Sequence, residues 1–420
     1  MQDLTRREFG SWAAGLSAAT LTRPASALSA ENPIRIGYTL PLSGGLAGNG
    51  KPSLLAHRLW MEDVNAKGGL LGRKVELVNY DDQSDSGQVP ALYTKLIEVD
   101  KVDLVISSYS TALIAPALPV VMSHGMAFVT LLGSGTNDAF KYDRVVSINP
   151  VGGKMEEDFA KGFFEVAMGA DPRPKTVAIA GLDGDFLQRS MQSARTQAKA
   201  AGLEIVYDKS YPPSTVDYGP IVRAVQAAKP DIVYFASYPR DSVGLLKAAY
   251  EAKLSATVLG GGMIGPQITA IKAQFGALLN NLLCWDVYAP EPTLKFPGVE
   301  AFLERYRVAA EKEKADPLGL YAPPLAYAQM QVMQQAVARV GKIDQAAIGV
   351  DFHANTFPTV LGDLKFDAKG EWETERNLYV QYQGVKGNDV EQFKRPGVQV
   401  ILYPDQYKSG KLLTPFPATG

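Results

Sequence analysis

Short apolar runs alternate with segments of helical spacing, and this alternation restricts the fold more than any other feature. The runs 34–40, 75–80, 102–106 and 126–132 are typical of buried strands. The segments between them are long enough to be crossover helices, which connect parallel strands. The sequence therefore predicts an α/β fold with a doubly wound parallel sheet.

The same alternation begins again in the second half of the chain. Further strands are predicted at 177–181, 204–207 and 231–236, with helical patterns between them. A chain of 420 residues is too long for one ordinary core. We therefore expect two similar lobes that face each other across a cleft, without an obvious sequence repeat between them.

The stretch 101–117 places small hydroxyl residues at the end of a predicted strand, directly before a helix. Ser110, Thr111 and Ala112 fall at the start of that helix, and the next strand ends in the sequence GSGTN at 133–137. Free N–H groups at a helix N-terminus, with hydroxyls beside them, suit a carboxylate or a phosphate. Ligands of open α/β sheets bind beyond the carboxyl ends of the strands, so we expect an anion-binding crevice here.

The first 30 residues have the pattern of an export signal and are set apart from the fold. A twin-arginine sequence, TRREF, is followed by a weakly apolar stretch and by the small-residue sequence ASA at 25–27. Cys284 is the only cysteine, so none follows the leader to carry a lipid, and its apolar neighbours indicate a buried thiol. We therefore predict a periplasmic protein that is exported by the twin-arginine route and has no lipid anchor.

Charge and motif content argue against nucleic-acid binding and against catalysis. The formal net charge is −2, so the basic footprint of a nucleic-acid binder is missing. His57, His124 and His353 have no metal-ligand spacing, and no serine lies in a G-x-S-x-G sequence. We expect neither an enzyme nor a protein that holds a metal or a cofactor.

Two features of the first half allow more than one interpretation. The glycine-rich stretch 41–50 fits neither the dinucleotide fingerprint nor the P-loop, so it is either a ligand-facing loop or a plain turn. Asp81 and Asp82 follow a predicted strand, and adjacent side chains on an extended segment point apart. We interpret this pair as a solvated strand end or a helix cap rather than as a metal or acid/base pair.

Several sequence stretches together resemble one known family. They are IRIGYTLPLSG, DVNAKGGLLGRKVELV, ISSYSTALIAPA, LLGSGTN and AKPDIVYFASYPRD. With these stretches the chain resembles the solute-binding proteins of ABC importers, specifically the leucine/isoleucine/valine-binding type. The likeness covers essentially all of residues 34–385, and the run NAKGGLLG with its following strand is its most specific part.

The resemblance implies the type I periplasmic binding fold, in which two α/β lobes are joined by three crossings and close on a ligand like a hinge. It places the first lobe at 31–151 plus about 287–371, and the second lobe at 152–286 plus about 372–420. The implied function is capture of a small organic carboxylate and its delivery to a membrane ABC permease, by a protein that we expect to be a monomer. A periplasmic sensor of the same fold is the alternative.

The resemblance also implies ligand-binding positions. In the family's amino-acid binders, hydroxyls and N–H groups of the first lobe hold the ligand α-carboxylate; the matching positions here are Thr111, Ala112, Ser134 and Thr136. Aromatic residues of the second lobe cover the ligand, and these match Phe186, where a Tyr is usual, and Tyr238. A first-lobe loop position that contacts the ligand matches Asn49.

One departure from the family pattern bears on the ligand. Amino-acid binders hold the α-ammonium with a carboxylate on a second-lobe loop, but the matching stretch 259–264 contains no acid. A buried ammonium without a partner costs several kcal/mol, unless Asp183 or Asp185 supplies the charge. With Tyr109 and Met263 nearby, the pocket suits an aromatic or apolar carboxylate, and a branched-chain amino acid or amide is the alternative. The aromatic positions also fit a role in packing the lobes.

Overall fold

The computed structural model describes residues 29–418, so all but the last two residues of the predicted export signal lie outside the described residues. The first sheet is built from the strands β1 (Ser29–Leu40), β2 (Arg73–Asp81), β3 (Leu104–Tyr109), β4 (Phe128–Leu131) and β5 (Val145–Ile148). Its helices are α1 (Ala47–Ala66), α2 (Val89–Thr94), α3 (Thr111–Ile114), α4 (Leu118–Ser123) and α5 (Asn137–Phe140). All neighbouring strands are parallel, in the order β2-β1-β3-β4-β5.

The second sheet repeats this arrangement. Its helices begin with α6 (Met155–Asp158) and α7 (Lys161–Ala167) and continue with α8 (Asp185–Ala200), α9 (Gly219–Ala227), α10 (Pro239–Glu251) and α11 (Thr269–Phe275). Its parallel strands are β6 (Thr176–Leu182), β7 (Glu204–Tyr211), β8 (Ile232–Ser237), β9 (Val258–Met263) and β10 (Leu282–Asp286). The prediction of two doubly wound α/β lobes is therefore confirmed.

The last third of the chain adds helices that pack on the first sheet and its helices, and two strands that extend the second sheet. The elements of this third are α12 (Val299–Glu313), α13 (Ala322–Val340), α14 (Gln345–Ala354), β11 (Phe357–Thr359), β12 (Gly362–Leu364), β13 (Leu378–Tyr382) and β14 (Gln399–Tyr403). The strands β13 and β14 extend the second sheet in antiparallel fashion, giving the order β14-β13-β10-β9-β8-β6-β7. The helix α13 packs against α1 and β4 of the first sheet, while β11 and β12 form a small hairpin.

The chain passes between the two sheets three times. It leaves the first sheet after β5, returns after β10, and crosses again between β12 and β13. All residues of β3, β4, β8 and β9 are buried, as expected for parallel strands covered by helices on both faces. This packing fixes the carboxyl ends of these strands at the cleft between the lobes.

The structure corrects the interpretation of the glycine-rich stretch 41–50. The helix α1 begins at Ala47, so Asn49 lies in its first turn and is buried, rather than in an open loop. Gly50 is required there because a Cβ would lie 2.1 Å from the carbonyl oxygen of Pro41. Only residues 41–46 form the turn.

The structure also separates the roles of the two adjacent aspartates. Asp81 accepts hydrogen bonds from the backbone N–H groups of Leu42 and Ser43, and it thereby holds the turn after β1. Asp82 is fully buried and accepts a hydrogen bond from the Ser108 hydroxyl at 2.6 Å. The prediction of a solvated pair is therefore wrong for Asp82, and burial raises the pKa of its carboxyl.

Three further features concern membrane, metal and thiol chemistry. Within residues 29–418, no helix combines the length and apolarity needed to cross a membrane. The same residues contain no cluster of three His, Cys, Asp or Glu side chains suited to a metal ion. Cys284 is buried in β10, which confirms the expected buried thiol, and burial raises its pKa.

Candidate functional site

A cavity with about 300 Å³ of empty space lies between the carboxyl ends of the two sets of strands. Side chains from both sheets and from the segment before α13 form its wall: Tyr109, Ser110, Thr111, Leu132, Ser134, Asn149, Phe186, Tyr238, Ile264, Trp285 and Tyr321. The site thus occupies the strand-end position at which open α/β sheets bind ligands.

Three hydroxyl groups form one end of this cavity, and we call them the hydroxyl cradle: Ser110, Thr111 and Ser134. Ser110 precedes α3 with a φ of 78°, a conformation that is uncommon for a residue with a side chain. Its carbonyl oxygen accepts the N–H groups of Leu113 and Ile114, whereas its hydroxyl is buried and has no partner among the described residues. A strained, unpaired serine hydroxyl facing a cavity is suited to bind a ligand.

The other two hydroxyls of the cradle are oriented by hydrogen bonds from the protein. The Ser134 N–H donates to the Thr111 hydroxyl at 3.1 Å, and the Asn149 side-chain amide donates to the Ser134 hydroxyl at 2.6 Å. Each hydroxyl oxygen therefore already accepts a hydrogen bond, so its own O–H hydrogen is available to donate. A carboxylate that enters the cavity can accept hydrogen bonds from these two O–H groups.

Five aromatic side chains contribute to the rest of the cavity wall. Phe186 and Tyr238 are nearly parallel, with ring centroids 6.4 Å apart, and Trp285 and Tyr321 meet edge to face at the same distance. The Tyr109 and Tyr321 hydroxyls are 3.2 Å apart. Burial raises the pKa of Tyr109 to about 12, so this phenol is neutral and adds no charge to the cavity.

No acidic or basic side chain lines the cavity in the described part of the chain. Asp183 is exposed and accepts a hydrogen bond from Gln188, and Asp185 is exposed and lies 3.8 Å from Arg189. Neither aspartate lines the cavity in this structure. The site can pair a ligand anion with neutral donors, but its wall offers a ligand cation no carboxylate.

The acid-free stretch 259–264 is a strand rather than a loop for most of its length, because β9 ends at Met263. Its glycines are needed for close packing: a Cβ on Gly261 would lie 2.5 Å from the Tyr234 ring, and one on Gly262 would lie 2.5 Å from the Ser190 hydroxyl. Met263 is fully buried, and the next residue, Ile264, contributes to the cavity wall. Close packing thus excludes an acidic side chain at Gly261 and Gly262, and the two residues that follow are apolar.

The structure brings together five of the nine ligand-binding positions expected from the sequence: Tyr109, Thr111, Ser134, Phe186 and Tyr238. Four others do not line the cavity. Asn49, Thr136 and Met263 are buried elsewhere, and Ala112 is exposed. The role of each in ligand binding stays a prediction.

Sequence reasoning missed two large aromatic side chains of the wall. Trp285 lies at the end of β10, and its position at a strand end was a usable signal. Its indole N–H donates to Asn377 at 3.0 Å, which fixes the ring. Tyr321 comes from a segment between two helices, where no local pattern indicated a place in the site.

The chain is similar to known proteins along most of its length. Residues 33–387 match the sequence model described as a periplasmic binding protein. The chain belongs to this family. A Leu/Ile/Val-binding protein homolog, number 7 of Brucella abortus (strain 2308), is 29% identical over 412 residues, which cover 93% of this chain and 96% of the relative.

Two solved structures have the same fold as this periplasmic binding protein. One is the substrate-binding protein of a branched-chain amino acid transporter from Streptococcus pneumoniae in complex with isoleucine, with 18% identity, a TM-score of 0.70, and coverage of 85% of this chain and 97% of that chain. The other is a solute-binding protein from R. palustris in complex with benzoate. It has 19% identity and a TM-score of 0.70, and the match covers 84% of this chain and 94% of that chain. At these identities the likeness establishes the fold alone.

Family membership settles the broad class of activity. Periplasmic binding proteins of this type bind small molecules and work with an ABC permease, so this chain is a solute-binding protein of the ABC-transporter type and not an enzyme. The resemblance seen in the sequence, to the leucine/isoleucine/valine-binding type, is thereby confirmed.

Proposed function

We propose that this periplasmic binding protein captures a small aromatic or apolar carboxylate between its lobes and delivers it to a membrane ABC permease. The observation that carries the proposal is the hydroxyl cradle, which opens into a cavity whose remaining wall is mainly aromatic and aliphatic. A buried carboxylate needs hydrogen-bond donors, and hydroxyl donors form strong bonds to a charged acceptor. The ring or apolar body of the ligand would then pack against Phe186 and Tyr238.

A free amino acid is a poorer match for the same cavity. Its ammonium would be buried without an acidic partner, at a cost of several kcal/mol. Of the two solved relatives described above, the benzoate-bound protein represents the ligand class proposed here. The isoleucine-bound protein represents the alternative, a branched-chain amino acid or its amide.

The proposed cycle begins with the ligand carboxylate on the hydroxyl cradle of the first lobe. Phe186 and Tyr238 of the second lobe then close over the ligand, and the closed form docks on the permease. Closure is a population shift, so it depends on the ligand's greater affinity for the closed state.

We also propose that the protein is exported by the twin-arginine route, has no lipid anchor and acts as a monomer. A sensor role would use the same binding step, and neighbouring transporter genes would favour import.

The first test is a thermal unfolding series on the purified protein, freed of co-purified ligand. We expect benzoate, 4-hydroxybenzoate and 4-coumarate to raise the midpoint, because a ligand at ~100 times its dissociation constant stabilises the native state by about 2.7 kcal/mol. Leucine, valine and phenylalanine should give no comparable shift. Benzamide, which lacks the charge of benzoate, serves as the matched control and should shift the midpoint much less.

Each outcome of this series has a defined meaning. Equal shifts with benzoate and benzamide would contradict the role of the cradle in anion binding. Shifts with the amino acids only would contradict the proposed ligand class, and would show that a group outside the described cavity wall holds the ammonium.

A further inference from the structure

Glu371 lies directly behind the hydroxyl cradle, in the segment of the chain that crosses between β12 and β13. Its side chain is 4% exposed, and its Oε1 atom accepts a hydrogen bond from the Gly135 N–H at 2.9 Å. Gly135 follows Ser134, whose hydroxyl faces the cavity. The Oε2 atom is buried and has no partner among the described residues. Glu371 thus holds the peptide next to the cradle while one of its own oxygens stays unpaired.

The charged groups around Glu371 do not neutralise it. Asp138, in the first turn of α5, is paired with Arg189 of α8 at 3.3 Å and with Lys369 at 3.2 Å. Asp367 donates its backbone N–H to the Glu371 carbonyl and places a second carboxylate nearby. The two nearby cations, Arg189 and Lys369, are therefore both paired with Asp138. A charged Glu371 would be buried without an ion-pair partner of its own.

The protonation state of Glu371 follows from this environment. The pKa of Glu371 is raised to about 8, mainly because burial desolvates the carboxyl group. The hydrogen bond from the Gly135 N–H and the charge of Arg189 lower this pKa, whereas the Asp367 and Asp138 carboxylates raise it. Glu371 is therefore neutral in most molecules at pH 7. Above pH 8 it acquires a negative charge next to the position proposed for the ligand carboxylate.

We propose that Glu371 is a positioning residue that orients the Ser134–Gly135 peptide as a neutral acid, and that carboxylate binding is coupled to its protonation. The inference rests on the proposed function, because the coupling requires an anionic ligand in the cradle. Two negative charges in a poorly solvated site repel each other, so the ligand binds best to the protonated form. By linkage, ligand binding also favours proton uptake by Glu371.

The test is the benzoate dissociation constant of the full protein, measured by calorimetry between pH 6.5 and pH 9.5. Benzoate is the chosen probe because it remains a monoanion throughout and has no phenol to titrate. We expect the affinity of the wild-type protein to fall by about tenfold across this range, with the fall centred above pH 8. In the Glu371→Gln variant, which cannot ionise, the affinity should be nearly constant with pH.

The matched control is Glu375→Gln, in the same crossing segment. Burial raises the pKa of Glu375 to about 7, but the charges that act on it are Asp158, Lys161 and Lys154 rather than groups of the cradle. This variant should keep the alkaline fall in affinity. The buffer dependence of the binding enthalpy at pH 8.5 should show proton uptake in the wild-type protein and in Glu375→Gln only.

The results separate the two proposals. If benzoate fails to bind at every pH, the proposed carboxylate function is wrong. If benzoate binds with an affinity that does not change with pH, or if the alkaline fall persists in Glu371→Gln, only the role of Glu371 is overturned. Thermal unfolding of each variant without ligand checks that the fold is intact.

Discussion

Replacing Thr111 with Val and Ser134 with Ala in one variant is expected to weaken benzoate binding by about 100-fold or more. Each hydroxyl is positioned to donate to a charged acceptor, and such a hydrogen bond contributes about 1.5 to 3 kcal/mol. Two lost bonds amount to roughly 3 to 6 kcal/mol, and about 1.4 kcal/mol corresponds to a tenfold change in affinity. Isothermal titration at pH 7 measures the change.

The variant Thr94→Val is the control for this prediction. Its hydroxyl donates to the Pro90 carbonyl on α2, outside the cavity, so the same type of substitution should leave benzoate affinity within about twofold. The unfolding midpoints of both variants must be compared, because Thr111 also accepts the Ser134 N–H. Wild-type affinity in a folded double variant would show that the anion binds elsewhere.

Replacing Gly260 with Ala is expected to destabilise the protein by about 3 kcal/mol or more. Gly260 pairs with Leu283 of the adjacent strand β10, and a Cβ would lie only 1.8 Å from the Leu283 carbonyl oxygen. Its φ of +150° also disfavours a residue with a side chain. Overpacking costs about 1 to 3 kcal/mol and backbone strain adds a similar amount. The free energy of unfolding in urea measures the loss.

Gly45→Ala is the matched control for this stability prediction. Gly45 lies in the turn before α1, and no heavy atom is within 4 Å of the position of its added Cβ. Its stability should therefore stay within about 0.5 kcal/mol of the wild-type value. A similarly small loss in Gly260→Ala would mean that β9 and β10 are not packed as closely as the structure shows.

Much of the fold could be predicted from local sequence patterns. The run 126–132 contains β4, and the helical pattern predicted between the strands at 177–181 and 204–207 contains α8. In such segments the spacing of the apolar residues matches the repeat of a strand or a helix, so the local sequence is sufficient to predict the conformation. The start of α1 was less predictable, because Gly48 and Gly50 favour a loop. Gly50 fits into the helix because the absence of a Cβ leaves room for the Pro41 carbonyl group, a contact that the local pattern does not report.

The candidate site could be predicted only in part. Thr111 and Ser134 were found because both follow strands, and the carboxyl ends of neighbouring parallel strands meet at one edge of a sheet. Phe186 and Tyr238 came from the resemblance to a family. Tyr321 could not be found, because it is more than 200 residues from its partner Tyr109 in the chain. No local pattern reports such a contact.

The amino-acid sequence was sufficient for two α/β lobes, for the family, and for an anion-binding edge, because periodicity and strand ends are local properties of the chain. The tertiary structure decided which aromatic rings enclose the cavity, that the three glycines of β9 leave no room for an acidic side chain, and that Glu371 is buried behind Ser134. Burial, and the charge state that depends on it, arise from segments far apart in the chain, so only the packed molecule determines them.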